Sequence, residues 1–125
     1  GSLVKMLNVD VTKQEDIVTP IVKLKDYFHE NGMLIVKNRW NAFFNTNLDE
    51  LLKSKNIKNL IITGAATDVC VLETCSYAFS LNYNCIVPIE TTASFNAERK
   101  KIGLEILGFG RSKVVNAEEV YKMVE

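Results

Sequence analysis

Histidine occurs once in this chain of 125 residues, cysteine three times, proline twice and tryptophan once. Each scarcity removes a class of protein. Cys70, Cys75 and Cys85 make an odd count without metal-type pairing, which argues against a disulfide framework and for a reducing, cytosolic setting. His29 lies in a polar stretch before Asn31-Gly32 and reads as a solvated helix-end residue. With one histidine and no ligand cluster, a zinc site has no support, and neither a metal nor another cofactor is expected. Ser–His or Cys–His machinery would have to run through His29 alone. Charge of one sign is lacking too: 15 Lys+Arg balance 15 Asp+Glu, with no basic stripe to hold nucleic acid. The apolar runs are strand-length, short of the ~20 residues that span a bilayer, so no membrane partner is expected. The start lacks a secretory layout, and Gly1-Ser2 without Met reads as a protease-cleavage scar with the natural start elsewhere.

What remains is 47% hydrophobic, enough for one domain over residues 1–125. Two kinds of segment alternate along it. Leu3–Val11 is mostly apolar and fits a strand. Thr19 followed by Pro20 suggests a helix start, with Ile21, Val22, Leu24, Tyr27 and Phe28 at helical spacing. Met33–Val36, Leu60–Thr63 and Cys85–Ile89 are uninterrupted apolar runs, as strands buried on both faces would be. Thr46 or Asn47 suits the cap of a short helix through Leu52. Further helices are expected over Thr67–Leu81, Asn96–Leu107 and Ala117–Val124, with Val114-Val115 a last strand. Such alternation predicts an α/β fold: a three-layer α/β/α sandwich around a parallel, Rossmann-like sheet.

In open parallel sheets, ligands bind at the carboxyl ends of the strands. Asp10 lies near the end of the first apolar run, Lys37 directly follows Val36, and Cys70 follows Leu60–Thr63 and its turn of small residues. Cys70 also opens a helix, where the positive end of the dipole favours thiolate, the nucleophilic form. Lys37 would help to hold that thiolate, and Asp10 would shuttle the proton.

Two segments resemble the isochorismatase-like cysteine hydrolases. Lys37-Asn38-Arg39-Trp40-Asn41-Ala42-Phe43 is similar to their Lys-x-Arg-aromatic-x-Ala-Phe segment, and Gly64-Ala65-Ala66-Thr67-Asp68-Val69-Cys70-Val71 to their nucleophile motif. The resemblance implies a parallel six-stranded sheet flanked by helices. It also implies hydrolysis of a C–N bond in a small amide or carbamoyl compound through a cysteine thioester. It makes Cys70 the nucleophile and Lys37 the cation beside it. The Ala65-Ala66 peptide would be cis, with the N–H groups of Ala66 and Cys70 forming an oxyanion hole. Trp40 and Phe43 would wall the substrate pocket.

The sequence also departs from the family. Only 26 residues separate Asp10 from Lys37, far fewer than the family places between its acid and its lysine. Val11-Thr12 follows Asp10 where an apolar residue and Gln are usual. In one alignment Leu3–Val11 is the family's first strand and a middle segment is absent. In the other, which the spacing favours, the Asp-bearing start is missing and residues 3–32 only approach the lysine. The zinc-holding Asp-x-His of nicotinamidases is missing, which disfavours that specificity. The alternatives are a catalytically inactive scaffold or interaction module, or an ether-cleaving isochorismate hydrolase, whose chemistry needs no thiol. A shortened chain exposes apolar surface, so a homo-oligomer is expected.

Overall fold

Leu60, Ile61 and Ile62 are fully buried consecutive residues whose side chains alternate between two apolar clusters. Only a strand covered on both faces buries such a run. The computed structural model describes residues 4–9, 15–27 and 34–123. Its elements are β1 (Val4–Val9), α1 (Glu15–Tyr27), α2 (Leu48–Ser54), β2 (Asn59–Ala65), α3 (Leu72–Ser80), β3 (Asn84–Pro88), β4 (Thr92–Ala93), α4 (Ala97–Gly108), β5 (Ser112–Val115) and α5 (Ala117–Met123). The strands run β1-β2-β3-β5, with the short β4 paired to the end of β2, and every pairing is parallel. Five strands are therefore present among the described residues, where the resemblance implied six.

On one face, Leu60 and Ile62 of β2 and Cys85 and Val87 of β3 meet Leu48 and Leu52 of α2, Cys75 and Ala78 of α3, and Leu107 of α4. On the other, Ile61 and Ile86 meet Leu24 of α1 and Val120 of α5. The expected three layers follow from that division.

Several expectations need correction. Thr19 does not cap a helix start; α1 begins at Glu15 and holds Pro20 in its interior. An interior proline forfeits a backbone hydrogen bond and costs about 3 kcal/mol in isolation. Burial of Ile17, Ile21 and Leu24 on one stripe overrides it. Met33 lies outside the described residues, and Leu34–Val36 is no sheet strand: Leu34 is 91% and Val36 76% exposed, while Ile35 packs inward. The place beside β2 is taken by β1, in register from Val4 opposite Asn59 to Val9 opposite Gly64. Residues 4–9 are thus a member of the sheet rather than a mere approach to the lysine segment, as the first alignment has it. Ile89 leaves β3 for a 3-10 turn over Ile89–Thr91 and is partly exposed. Before α2, the Thr46 hydroxyl accepts from Leu48 N at 3.3 Å, whereas the Asn47 side chain makes no capping bond.

Tyr83 ties α2 to the sheet. Its ring stacks on Phe43, and its hydroxyl donates to Asp49 Oδ1 at 2.7 Å. The Tyr83 bond, helped by Lys53 and opposed by partial burial, holds the Asp49 carboxyl below its ordinary value. A lowered carboxyl contributes stability above the unfolded-state pKa and loses it as pH falls through the folded value. Tyr83→Phe keeps the stacking and loses the bond, so it is expected to cost about 1–2 kcal/mol at neutral pH. Urea unfolding of both proteins should show that gap narrowing as pH falls below about 4, the ordinary aspartate value, and through the lowered value of folded Asp49.

Candidate active site

Gly64, the penultimate residue of β2, has a φ of +112° that few other residues adopt, and a cis peptide joins the strand's last residue, Ala65, to Ala66. The chain then makes one turn of π-helix over Thr67–Val71, closed by the bond from Val71 N to the Ala66 carbonyl at 3.1 Å, and enters α3. Such turns recur at functional sites. Cys70 lies within this turn, at the head of the helical run.

Three contacts hold the turn. Val71 is fully buried in the core, and the Thr67 hydroxyl meets that of Thr92 at 2.8 Å. Asp68 accepts hydrogen bonds from the Ser94 hydroxyl and from Arg99 Nε of α4. Burial raises the Asp68 carboxyl, but those two bonds, with its own backbone N–H, outweigh burial and leave it below its ordinary value. α4 reaches this close only because residue 103 is glycine: a Cβ there would stand 3.0 Å from Asp68 Cβ and from its backbone N.

Lys37 arrives on a separate loop. That loop is anchored by Phe43, which is buried and stacked at 5.8 Å on both Tyr77 and Tyr83. The Thr74 hydroxyl of α3 accepts from Ala42 N at 3.0 Å and donates to the Trp40 carbonyl at 3.4 Å. So fastened, the loop sets Lys37 Nζ 3.9 Å from Cys70 Sγ and 3.0 Å from the Arg39 carbonyl.

Sulfur and ammonium share an open cleft of about 890 Å³, within the ~300–1,000 Å³ usual for small-molecule sites. Ala65, Ala66, Val69 and Cys70 line it from the β2 side, Lys37 to Asn41 and Phe44 from the loop, and Glu73, Ser94 and Phe95 complete its rim. The structure therefore brings together Cys70, Lys37, Ala66 and Trp40. It does not bring in Phe43, whose ring belongs to the core. The tight turn over 41–46 sends neighbouring side chains opposite ways, and Phe44 faces the cleft instead. Asp10 and His29 lie outside the described residues. No group of three or more metal-ligating side chains occurs among those described.

The sequence reading missed Phe95, the Asp68–Ser94–Arg99 clamp and Gly103. Phe95 is the second residue after β4, and the rule that ligands gather at carboxyl ends of strands could have found it. No sequence signal announces that Asp68 and Arg99 meet across 31 positions.

The isochorismatase domain model matches residues 9–119, and the chain belongs to that family. It is 45% identical over 51 residues to the ureidoacrylate amidohydrolase RutB of Agrobacterium fabrum, a match covering 41% of this chain and 22% of that protein. The RutB of Klebsiella pneumoniae subsp. pneumoniae is 43% identical over 63 residues, covering 50% and 27%. The matched stretch is thus about a quarter of those relatives' length. Among solved structures, an isochorismatase-like hydrolase from Alkaliphilus metalliredigens superposes with a TM-score of 0.90 at 20% identity, covering 98% of both chains. The nicotinamidase SaPncA of Staphylococcus aureus gives 0.78 at 24% identity, covering 93% of this chain and 99% of its own.

Two outcomes follow from this packing. All three cysteines are free and buried, but Cys70 borders the cleft, whereas Cys75 and Cys85 lie deeper in the core and the Cys75 thiol is pushed up by its hydrogen bond to Cys85 and by burial. Iodoacetamide should label Cys70 well before the other two, as read by peptide mass spectrometry. Gly103→Ala should cost about 1–3 kcal/mol by overpacking against Asp68 and should change the labelling rate of Cys70. Unchanged stability and labelling would mean that α4 does not brace the turn.

Proposed function

We propose that this protein hydrolyses the C–N bond of a small amide or carbamoyl compound through a thioester on Cys70. One observation carries the reading: a thiol at the head of a helical run, bordering a cleft, with an ammonium 3.9 Å away. An adjacent cation favours the thiolate that must attack. The named activity of the RutB relatives supports the same bond class.

In this scheme the Cys70 sulfur attacks the carbonyl carbon, and the oxygen, now negative, takes hydrogen bonds from the N–H groups of Ala66 and Cys70. The C–N bond then breaks, and the departing nitrogen takes a proton from an acid. Water then attacks the thioester, gives one proton back to the carboxylate that this acid has become, and the sulfur leaves as thiolate, so that acid and nucleophile are both restored. Asp10 is the proposed acid. Its support is the β1 register: Val9 is paired with Gly64, so β1 runs toward the strand end that leads to Cys70. Trp40 is proposed to cover the substrate from the loop side.

Initial rates on a panel of small ureas and amides test the scheme. Cys70→Ala should abolish turnover, and Asp10→Asn should lower it by about 10²–10⁴-fold, the usual cost of losing a general acid–base group. Turnover that survives Cys70→Ala would exclude the thioester route. A parent chain inert to the whole panel, with Cys70 still alkylating readily, would favour the inactive-scaffold reading.

A further inference from the structure

We propose that Arg39 selects substrates carrying a carboxylate close to the bond that is cut. This rests on the amide-hydrolase reading and concerns the substrate class of the same cleft. Among the described lining residues two are cationic, Lys37 and Arg39. Lys37 is committed to the sulfur and to the Arg39 carbonyl. Arg99, nearby, is committed to Asp68.

Arg39 differs from both. Its guanidinium donates only to the neighbouring Asn38 carbonyl, at 2.8 Å, and pairs with no carboxylate among the described residues. It is exposed, borders the cleft, and keeps donors in the planar fork that matches a carboxylate. Its backbone carbonyl touches the same ammonium that touches the sulfur, so its side chain starts within one residue of the reacting centre. Arg39 and Cys70 line the same cleft, so a small substrate whose carbonyl meets Cys70 can set an acid group of the same molecule on Arg39. Glu73 is the one carboxylate among the described lining residues and opposes an anion there. With a single uncommitted cation among the described lining residues, the cleft suits a monoanion better than a phosphate dianion.

The test compares N-carbamoyl-β-alanine with propylurea, its counterpart without the acid group, by two readouts. In turnover, Arg39→Gln should raise KM for the acid relative to the neutral urea by tenfold or more, and Glu73→Gln should lower that ratio. In the second readout, each compound protects Cys70 from iodoacetamide, which needs no turnover and so separates this proposal from the hydrolase reading. The acid should protect the parent better than the neutral urea, and Arg39→Gln should remove the difference. Equal protection by both compounds, no protection by the acid, or protection unaffected by Arg39→Gln would overturn the proposal. Inorganic phosphate protecting as well as the acid would overturn the carboxylate assignment.

Discussion

Everything in the cleft depends on one packed turn, the π-helical stretch Thr67–Val71 between β2 and α3. It is held from below by Val71 in the core, from the side by the Thr67–Thr92 hydroxyl pair, and from above by Asp68 against α4. A thiol on a loose loop would sample many positions; on this turn its direction is set by groups that cannot move independently. The same turn delivers the small residues of the cleft floor, since Ala65 and Ala66 precede it directly. Gly103 is the hidden condition, because a single methyl group on α4 would meet the Asp68 backbone.

The second element of the site is fastened by the same helix. Thr74 and Tyr77 of α3 hold Ala42 and Phe43 of the Lys37 loop, one by hydrogen bonds and the other by ring stacking. The helical run that begins beside Cys70 therefore also registers Lys37 opposite it. Phe43, expected from the motif to wall the pocket, instead serves with Ala42 in this anchoring. The aromatic surface of the cleft falls to Trp40, Phe44 and Phe95, all exposed.

Much of this was legible because the strongest sequence signals coincide with the deepest burial. Leu60–Thr63 reads as a covered strand and is one, and the small-residue turn leading to Cys70 reads as the start of a helix. The failures have physical causes. An apolar run such as Leu34–Val36 looks the same whether sheet partners cover it or it runs along the surface, and here Leu34 and Val36 face outward. Pro20 signals a helix start by local rules, yet the stripe Ile17, Ile21 and Leu24 extends the helix backward through it. Phe43 and Phe44 are indistinguishable in sequence, and only the tight turn decides which enters the core. The Asp68–Arg99 pair joins separate elements, so no local pattern encodes it.

The central claim is that Cys70 carries the acyl group during catalysis. Rapid acid quenching of the protein with a small ureido substrate, followed by intact-mass and peptide mass spectrometry, tests it most directly. A transient mass increase equal to the acyl fragment is expected, confined to the Cys70 peptide and absent from Cys70→Ala. Turnover with no adduct on Cys70 at any quench time, or an adduct on another residue, would contradict it.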